Sequence, residues 1–179
     1  MFRGDKEHPV KNVADQLGIS TGDPMQKGES AAFQRFLVPV SECEFALNSI
    51  LDDLQCDPWP VESGTRPARC VGAAMNVAIS LLESAIGTNP NLKRGSRIVN
   101  LMGGPITFGP GMIVSQSLTE LIRSHLDIQS EKDNTKYLKN AIKYYQGLAD
   151  RAQKAGVVVD LFVASVDQVG VLEMKPCFE

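Results

Sequence analysis

The residues whose types and spacing could support catalysis or ligand binding lie in the second half of this 179-residue sequence. In the glycine-rich stretch GGPITFGPG, Gly104 and Gly109 have the spacing of a phosphate-binding loop. Such a loop needs a lysine for the phosphate and a hydroxyl for the metal, but those two positions hold Pro110 and Gly111. We therefore predict a structural turn here and no nucleotide site.

The second group surrounds His125, which has Arg123, Ser124 and Asp127 as close neighbours. Serine, histidine and acid together suggest a hydrolase, but no serine stands in a G-x-S-x-G motif and no cysteine has a recognisable partner. We favour a hydrogen-bond cluster that orders a loop or meets a protein partner, and we predict no catalytic residue. The hydrolase alternative needs a nucleophile within hydrogen-bond reach of the His125 ring.

The element that positions the glycine-rich stretch is the short apolar run from Arg97 to Met102, which Gly103, Gly104 and Pro105 end sharply. A run of this length is typical of a buried strand. Ligands and partners gather at the carboxyl ends of such strands, so we look for function at residues 103–111.

The remaining pattern predicts an α/β chain. A second strand is expected over 157–165, buried on both faces because it is apolar almost throughout. Helices are expected at about 10–19 (ending at Gly18), 42–55, 71–86, 117–126, from Ser130 or Asp133 to Ala155, and from 167 onward. Ser41 and Glu44 are spaced as a capping box for the helix at 42–55.

Two buried strands and an edge segment at 35–40 cannot cover the apolar faces of three helices. We therefore expect an incomplete sheet within residues 36–179, preceded by a polar, loop-rich segment at 1–35. His8 is expected in a mobile part of that segment. Trp59, between two prolines, is expected in a surface loop held on the core by its ring.

Composition excludes several function classes. The net charge of −3 provides no basic excess for nucleic acid, and no apolar run approaches the ~20 residues of a membrane span. The four cysteines show no close pairing and are expected as reduced, packed thiols. Five cations give the helix before Gly156 a basic side, which we read as facing water or, alternatively, an anionic membrane: Lys136, Lys139, Lys143, Arg151 and Lys154.

Several long motifs resemble one known family. The stretches DPWP, RIVNLMGGPITFGPGMIV, IRSHLDI and DQVGVLEMK resemble the trunk domain of the GTPase-activating subunit of the inner COPII coat, the Sec twenty-three family. The resemblance covers almost everything from Phe2 to Lys175. It implies an incomplete von Willebrand A-like (Rossmann-like) three-layer domain with a mostly parallel sheet and its first strands missing. It also implies that residues 116–128 are extended, against the helical pattern.

The resemblance further implies partners, cofactors and location. Family members pair with the cargo-adaptor subunit of the coat and bind the Sar-type small GTPase, in the cytoplasm and peripherally on endoplasmic reticulum membrane and COPII vesicles. The family's zinc site and the helical domain that supplies the catalytic arginine are expected outside this sequence. Met102, Gly103 and Gly104 stand where metal-binding A domains have T-D-G, and Ala68 to Ala74 contains no hydroxyl, so no metal site is expected.

We therefore expect a fragment of a coat subunit in transport from endoplasmic reticulum to Golgi. It would supply docking surface without cofactor or enzymatic activity, and its only membrane contact would be peripheral, with anionic endoplasmic reticulum lipids. The alternative is a metal-independent A-like interaction module unrelated to coats.

Overall fold

The computed structural model describes residues 1–19, 35–56, 58–88, 95–130 and 133–178. The predicted α/β class is confirmed. The elements are, in chain order, α1 (Val10–Leu17), α2 (Val40–Asp52), α3 (Val71–Thr88), β1 (Ser96–Met102), α4 (His125–Gln129), α5 (Leu138–Ala155), β2 (Val157–Val163) and α6 (Val171–Met174). Within these ranges, no helix is both long enough and apolar enough to span a membrane.

The two strands form a parallel sheet, in which Ser96 lies opposite Val157 and Met102 opposite Val163. One face packs against α3 and α5 through inward side chains, among them Met102, Val157 and Val159. The predicted burial of both faces is wrong, because the outward side chains of β1 and β2 remain largely exposed. The most exposed apolar residues among them are Val99 (57%), Leu101 (73%) and Phe162 (59%). Apolar residues at these outer positions hid the alternation of inward and outward side chains that a half-buried strand normally displays.

The main core lies between the sheet, α3 and α5. Its fully buried side chains include Ile79, Ile106, Tyr145 and Met174. A narrow stripe of polar residues runs along α3, and two of its members, Asn76 and Ser80, are buried and hydrogen-bonded. Ser80 Oγ accepts a hydrogen bond of 2.7 Å from Arg151 of α5, which also pairs with Glu83.

The N-terminal residues join this core. Helix α1 packs against α3 and ends at Gly18, whose φ of 69° is readily adopted by glycine. The expectation of a mobile His8 is wrong, since His8 is 3% exposed. Its backbone N–H donates to Asn76 Oδ1 over 3.0 Å, and its ring contacts the edge of Phe2. Residues 20–34 lie outside the described ranges, and the domain boundary at 35 stays a prediction.

Three expectations about helix ends and loops are wrong. Helix α2 begins at Val40 with Pro39 as N-cap and no side-chain cap, so the predicted capping box of Ser41 and Glu44 does not form. Helix α5 begins at Leu138, later than expected, although Gly156 ends it with φ of 70° as predicted. Trp59 is not held on the core by its ring, because it is 78% exposed.

Residues 117–124 are extended or irregular, and the helix that the pattern predicted there is absent. Ser117 bridges antiparallel to Thr65, and the Leu118 N–H donates to the Gly64 carbonyl over 2.9 Å. The Arg66 guanidinium donates to the carbonyls of Ser117 and Glu120, which a helix would need for its own hydrogen bonds. Tertiary contacts therefore override the local pattern over residues 117–124, as the family resemblance implied. The implied extension to residue 128 is wrong, because His125–Gln129 forms α4, capped by Ser124 and Asp127.

Candidate functional site

The loop after β1 contains the glycine-rich stretch and is held by side chains of its neighbours. Thr107 is buried, its Oγ1 accepts from the Arg69 N–H over 3.0 Å, and it donates to the Pro67 carbonyl over 2.6 Å. The N–H groups of Thr107 and Phe108 in turn donate to the Arg69 carbonyl, each over 3.2 Å. The segment before α3 and the loop after β1 are thus tied together at the carboxyl edge of the sheet.

Further along, the loop depends on glycine conformations and on two tyrosines of α5. Gly109 and Gly111 both have φ of 76°. The Tyr145 hydroxyl donates to the Gly111 carbonyl over 3.2 Å, and the Tyr144 hydroxyl donates to the Gly72 carbonyl over 2.9 Å. A side chain at position 111 would collide with the Tyr145 ring. This backbone is the structural turn that the sequence predicted.

Burial controls the ionisation of these tyrosines and of a nearby thiol. It raises the pKa of Tyr144 and Tyr145 well above the usual phenol range. It also raises the pKa of Cys177 to about 11, and the Cys177 thiol donates to the Tyr145 carbonyl over 3.4 Å. All three groups are therefore neutral hydrogen-bond donors near neutral pH and not nucleophiles.

A cleft of about 580 Å³ opens beside the glycine-rich loop, between α3 and α5. Its polar lining includes Glu7, Asn140, Lys143 and Arg151. Arg151 is already paired with Glu83, with its Nη2 2.6 Å from Glu83 Oε2. Nothing in this lining pairs a nucleophile with a base.

Arg123, the first residue of the predicted cluster, makes a buried ion pair. Its guanidinium donates through Nε to Glu173 Oε1 over 2.8 Å and through Nη2 to Glu173 Oε2 over 2.5 Å. Nη1 donates to Gln168 Oε1 over 3.0 Å. Arg123 is 5% exposed and Glu173 is fully buried. This fork ties the segment before α4 to the segment that contains α6.

Ser124 and Asp127 form a capping box at the start of α4. The Asp127 N–H donates to Ser124 Oγ over 3.2 Å, while the Ser124 N–H donates to Asp127 Oδ2 over 2.8 Å. His125, the remaining member of the predicted cluster, is exposed. The structure therefore brings Arg123, Ser124 and Asp127 into two adjoining loop contacts, and His125 into neither.

The sequence reasoning missed the partners of this cluster. Glu173 and Gln168 lie 50 and 45 residues from Arg123, too far for any local pattern to connect them. One signal was available, since Glu173 is the only charged residue in the apolar stretch VGVLEM. A charge placed there must be paired when the stretch is buried.

Neither metal chemistry nor histidine chemistry finds support in the described ranges. No group of three or more His, Cys, Asp or Glu side chains in these ranges is arranged to hold a metal ion. Likewise, no nucleophile there is hydrogen-bonded to the His125 ring, the contact that the hydrolase alternative needs. The absence of a cofactor and of catalytic residues stays a prediction.

Comparison with known proteins identifies relatives over the whole chain. Residues 2–179 match a family model described as the Sec23/Sec24 trunk domain. The chain is also 44% identical over 191 aligned residues to protein transport protein SEC23 F of Arabidopsis thaliana. That alignment covers 100% of this chain and 24% of the relative, so the chain spans about a quarter of the relative's length.

Proposed function

Because this chain belongs to the Sec23/Sec24 trunk-domain family, we propose that it is a docking part of the COPII coat, in transport from endoplasmic reticulum to Golgi. The observation that carries the proposal is the 44% identity along the whole chain to a protein named for protein transport. The same match removes the ground for an A-like module unrelated to coats. The α/β architecture with its parallel strand pair agrees with a von Willebrand A-like trunk.

The partners in this proposal are the cargo-adaptor subunit of the inner coat and the Sar-type small GTPase. The chain would bind them without chemistry of its own, cytoplasmic and peripheral to endoplasmic reticulum membrane and COPII vesicles. Arg123, Ser124 and Asp127 support this function by ordering the loop that presents the exposed His125. The exposed Lys139 and Lys143 of α5 are the cations that would approach an anionic membrane.

We expect docking without GTPase activation. Activation of small GTPases depends on an arginine inserted among the transferring phosphates. In the described ranges, Arg123 and Arg151 are engaged in ion pairs, and Arg66 is engaged with backbone carbonyls. None of these three is free to enter a second protein's active site, and we assign that role to no other arginine of the described ranges.

Two measurements test the proposal. Immobilised chain should retain purified cargo-adaptor subunit, whereas a metal-independent A-like domain from outside the family should not. In a phosphate-release assay, the chain should leave the hydrolysis rate of the Sar-type GTPase unchanged, with the full-length coat subunit as positive control. Failure to retain the cargo-adaptor subunit would contradict docking, and full stimulation of hydrolysis would contradict the absence of activation.

A further inference from the structure

The guanidinium of Arg69 stands out at the carboxyl edge of the sheet. It lies against Gly104, because a Cβ at position 104 would be 2.7 Å from Arg69 Cζ, 2.9 Å from Nη1 and 3.0 Å from Nη2. The three distances are nearly equal, so the face of the guanidinium lies against Gly104. Only glycine leaves room for this stacking.

Arg69 is held in place through its backbone, but its charge has no partner among the residues that the structure describes. Its N–H and carbonyl are both bonded to the Thr107 and Phe108 segment. Across the described ranges, no carboxylate or carbonyl accepts a hydrogen bond from its guanidinium, although the residue is partly buried. A guanidinium that is packed against a glycine and has unused donors can make a bidentate contact with an anion.

The surroundings favour a single carboxylate over a phosphate. The nearest other guanidinium in sequence, that of Arg66, is committed to the carbonyls of Ser115, Ser117 and Glu120. A phosphate carries nearly two charges and is usually met by several cations. Exposed apolar side chains occupy the same edge, with Phe108 at 39%, Val163 at 44% and Val166 fully exposed. An arginine among apolar side chains is typical of protein interfaces.

We propose that Arg69, stacked on Gly104, is an anchor that binds an aspartate or glutamate side chain of a protein partner. The partner residue is flanked by apolar side chains that cover Phe108, Val163 and Val166. The inference rests on the proposed docking function and adds a specific contact to it.

The variants separate charge, geometry and fold. Arg69→Gln removes the cation, and Arg69→Lys keeps the charge but loses the planar fork. Gly104→Ala keeps the net charge and displaces the guanidinium, since the added methyl occupies its place. Gly103→Ala is the matched control, because a Cβ at position 103 meets nothing within 4 Å. Circular dichroism and urea denaturation establish that each variant is folded.

Binding of purified cargo-adaptor subunit is measured by biolayer interferometry at low and high salt. We expect Arg69→Gln to weaken binding by about thirtyfold or more, Arg69→Lys and Gly104→Ala to weaken it less, and Gly103→Ala to leave it unchanged. Wild-type affinity in Arg69→Gln would overturn the inference while leaving docking intact.

A second probe does not depend on the coat. An array of synthetic peptides, each with one Glu or Asp between apolar residues, is compared with the same peptides carrying Gln or Asn. Carboxylate-dependent retention by wild type, absent in Arg69→Gln, supports the anchor even if the adaptor subunit does not bind. In that case the docking proposal fails, and only the carboxylate-binding part of the inference is retained. If the adaptor subunit does not bind and no peptide binds wild type and Arg69→Gln differently, the inference is overturned.

Discussion

Glu173 is a single side chain on which the stability of this fold strongly depends. It is fully buried, and its two carboxylate oxygens take two hydrogen bonds from Arg123. Gln168 satisfies a further donor of the same guanidinium. Removing one partner of such a pair leaves an uncompensated buried charge, whereas removing both leaves only a packing problem.

We predict that Glu173→Ala lowers the free energy of unfolding by about 3–5 kcal/mol, a large part of what a domain of this size has available. Glu173→Gln should cost less, because the amide oxygen still accepts one hydrogen bond. Urea denaturation followed by circular dichroism gives both values. Arg97→Gln is the control, since it breaks an exposed pair with Asp160 and should cost less than about 1 kcal/mol.

The double variant Arg123→Met with Glu173→Leu distinguishes charge from packing. If the uncompensated charge is the cause, the double variant should be more stable than Glu173→Ala. A double variant no more stable than Glu173→Ala would contradict the ion-pair explanation.

Helix α5 carries the two largely buried phenols, Tyr144 and Tyr145. Their burial makes the free energy of unfolding depend on pH in alkaline solution. Burial raises the pKa of Tyr145, so the folded chain keeps its proton at a pH where the unfolded chain, with an ordinary pKa near ~10, loses it. The unfolded state then binds fewer protons than the folded state, and stability falls as pH rises. Below pH ~10 this loss does not occur.

We predict that the free energy of unfolding falls above pH ~10 by up to about 1.4 kcal/mol per pH unit through Tyr145 alone. Urea midpoints measured between pH 8 and 11 test this. Tyr145→Phe should flatten the pH dependence, and Tyr144→Phe should flatten it by a similar amount, because burial holds the pKa of both hydroxyls above this pH range in the folded chain. An unchanged slope in Tyr145→Phe would contradict the assignment.

The elements themselves divide into those that local pattern determines and those that distant residues determine. Helices α3 and α5 and both strands were predicted, because their apolar periodicity or continuity is carried within each segment. The helix at 117–126 failed because Thr65 and Arg66, about 50 residues away, hold that segment extended. The capping box at Ser41 failed because the residue before Val40 is a proline, which already begins the helix two residues earlier.

The candidate site shows the same division between contacts that the local sequence predicts and contacts that depend on distant residues. Ser124 and Asp127 are three residues apart, and their mutual capping can be read from spacing alone. The burial of Arg123 against Glu173, and the stacking of Arg69 on Gly104, depend on side chains 50 and 35 residues apart in sequence. Contacts at that separation are set by the fold and have no local signature.

The molecule as a whole leaves two apolar surfaces uncovered by the described ranges. One is the outer face of the sheet, and the other is α2, which has no buried residue and exposes Phe45 (88%) and Ile50 (63%). Contiguous exposed apolar surface of this kind drives association with other proteins or between copies. Both strands also have one unpaired edge in the two-stranded sheet.

We predict that the isolated chain self-associates through the sheet face. Leu101→Lys combined with Phe162→Lys should shift the chain toward monomer, as measured by light scattering after size exclusion over a range of concentrations. Leu126→Lys is the matched control, because Leu126 is 72% exposed but lies on α4. A wild-type chain that stays monomeric and unfolds cooperatively would contradict the prediction.

The outer sheet face also carries an ion pair that makes its two ends different. Arg97 of β1 reaches across to Asp160 of β2, with Nη1 2.9 Å from Oδ1 and 2.7 Å from Oδ2. This ion pair is one hydrated site on an otherwise apolar face, and it lies toward the beginning of β1. A protein segment that covers this face must leave the ion pair open to water or supply it with hydrogen bonds. The face therefore distinguishes a covering segment that is bound in the correct direction from one that is bound in the reverse direction.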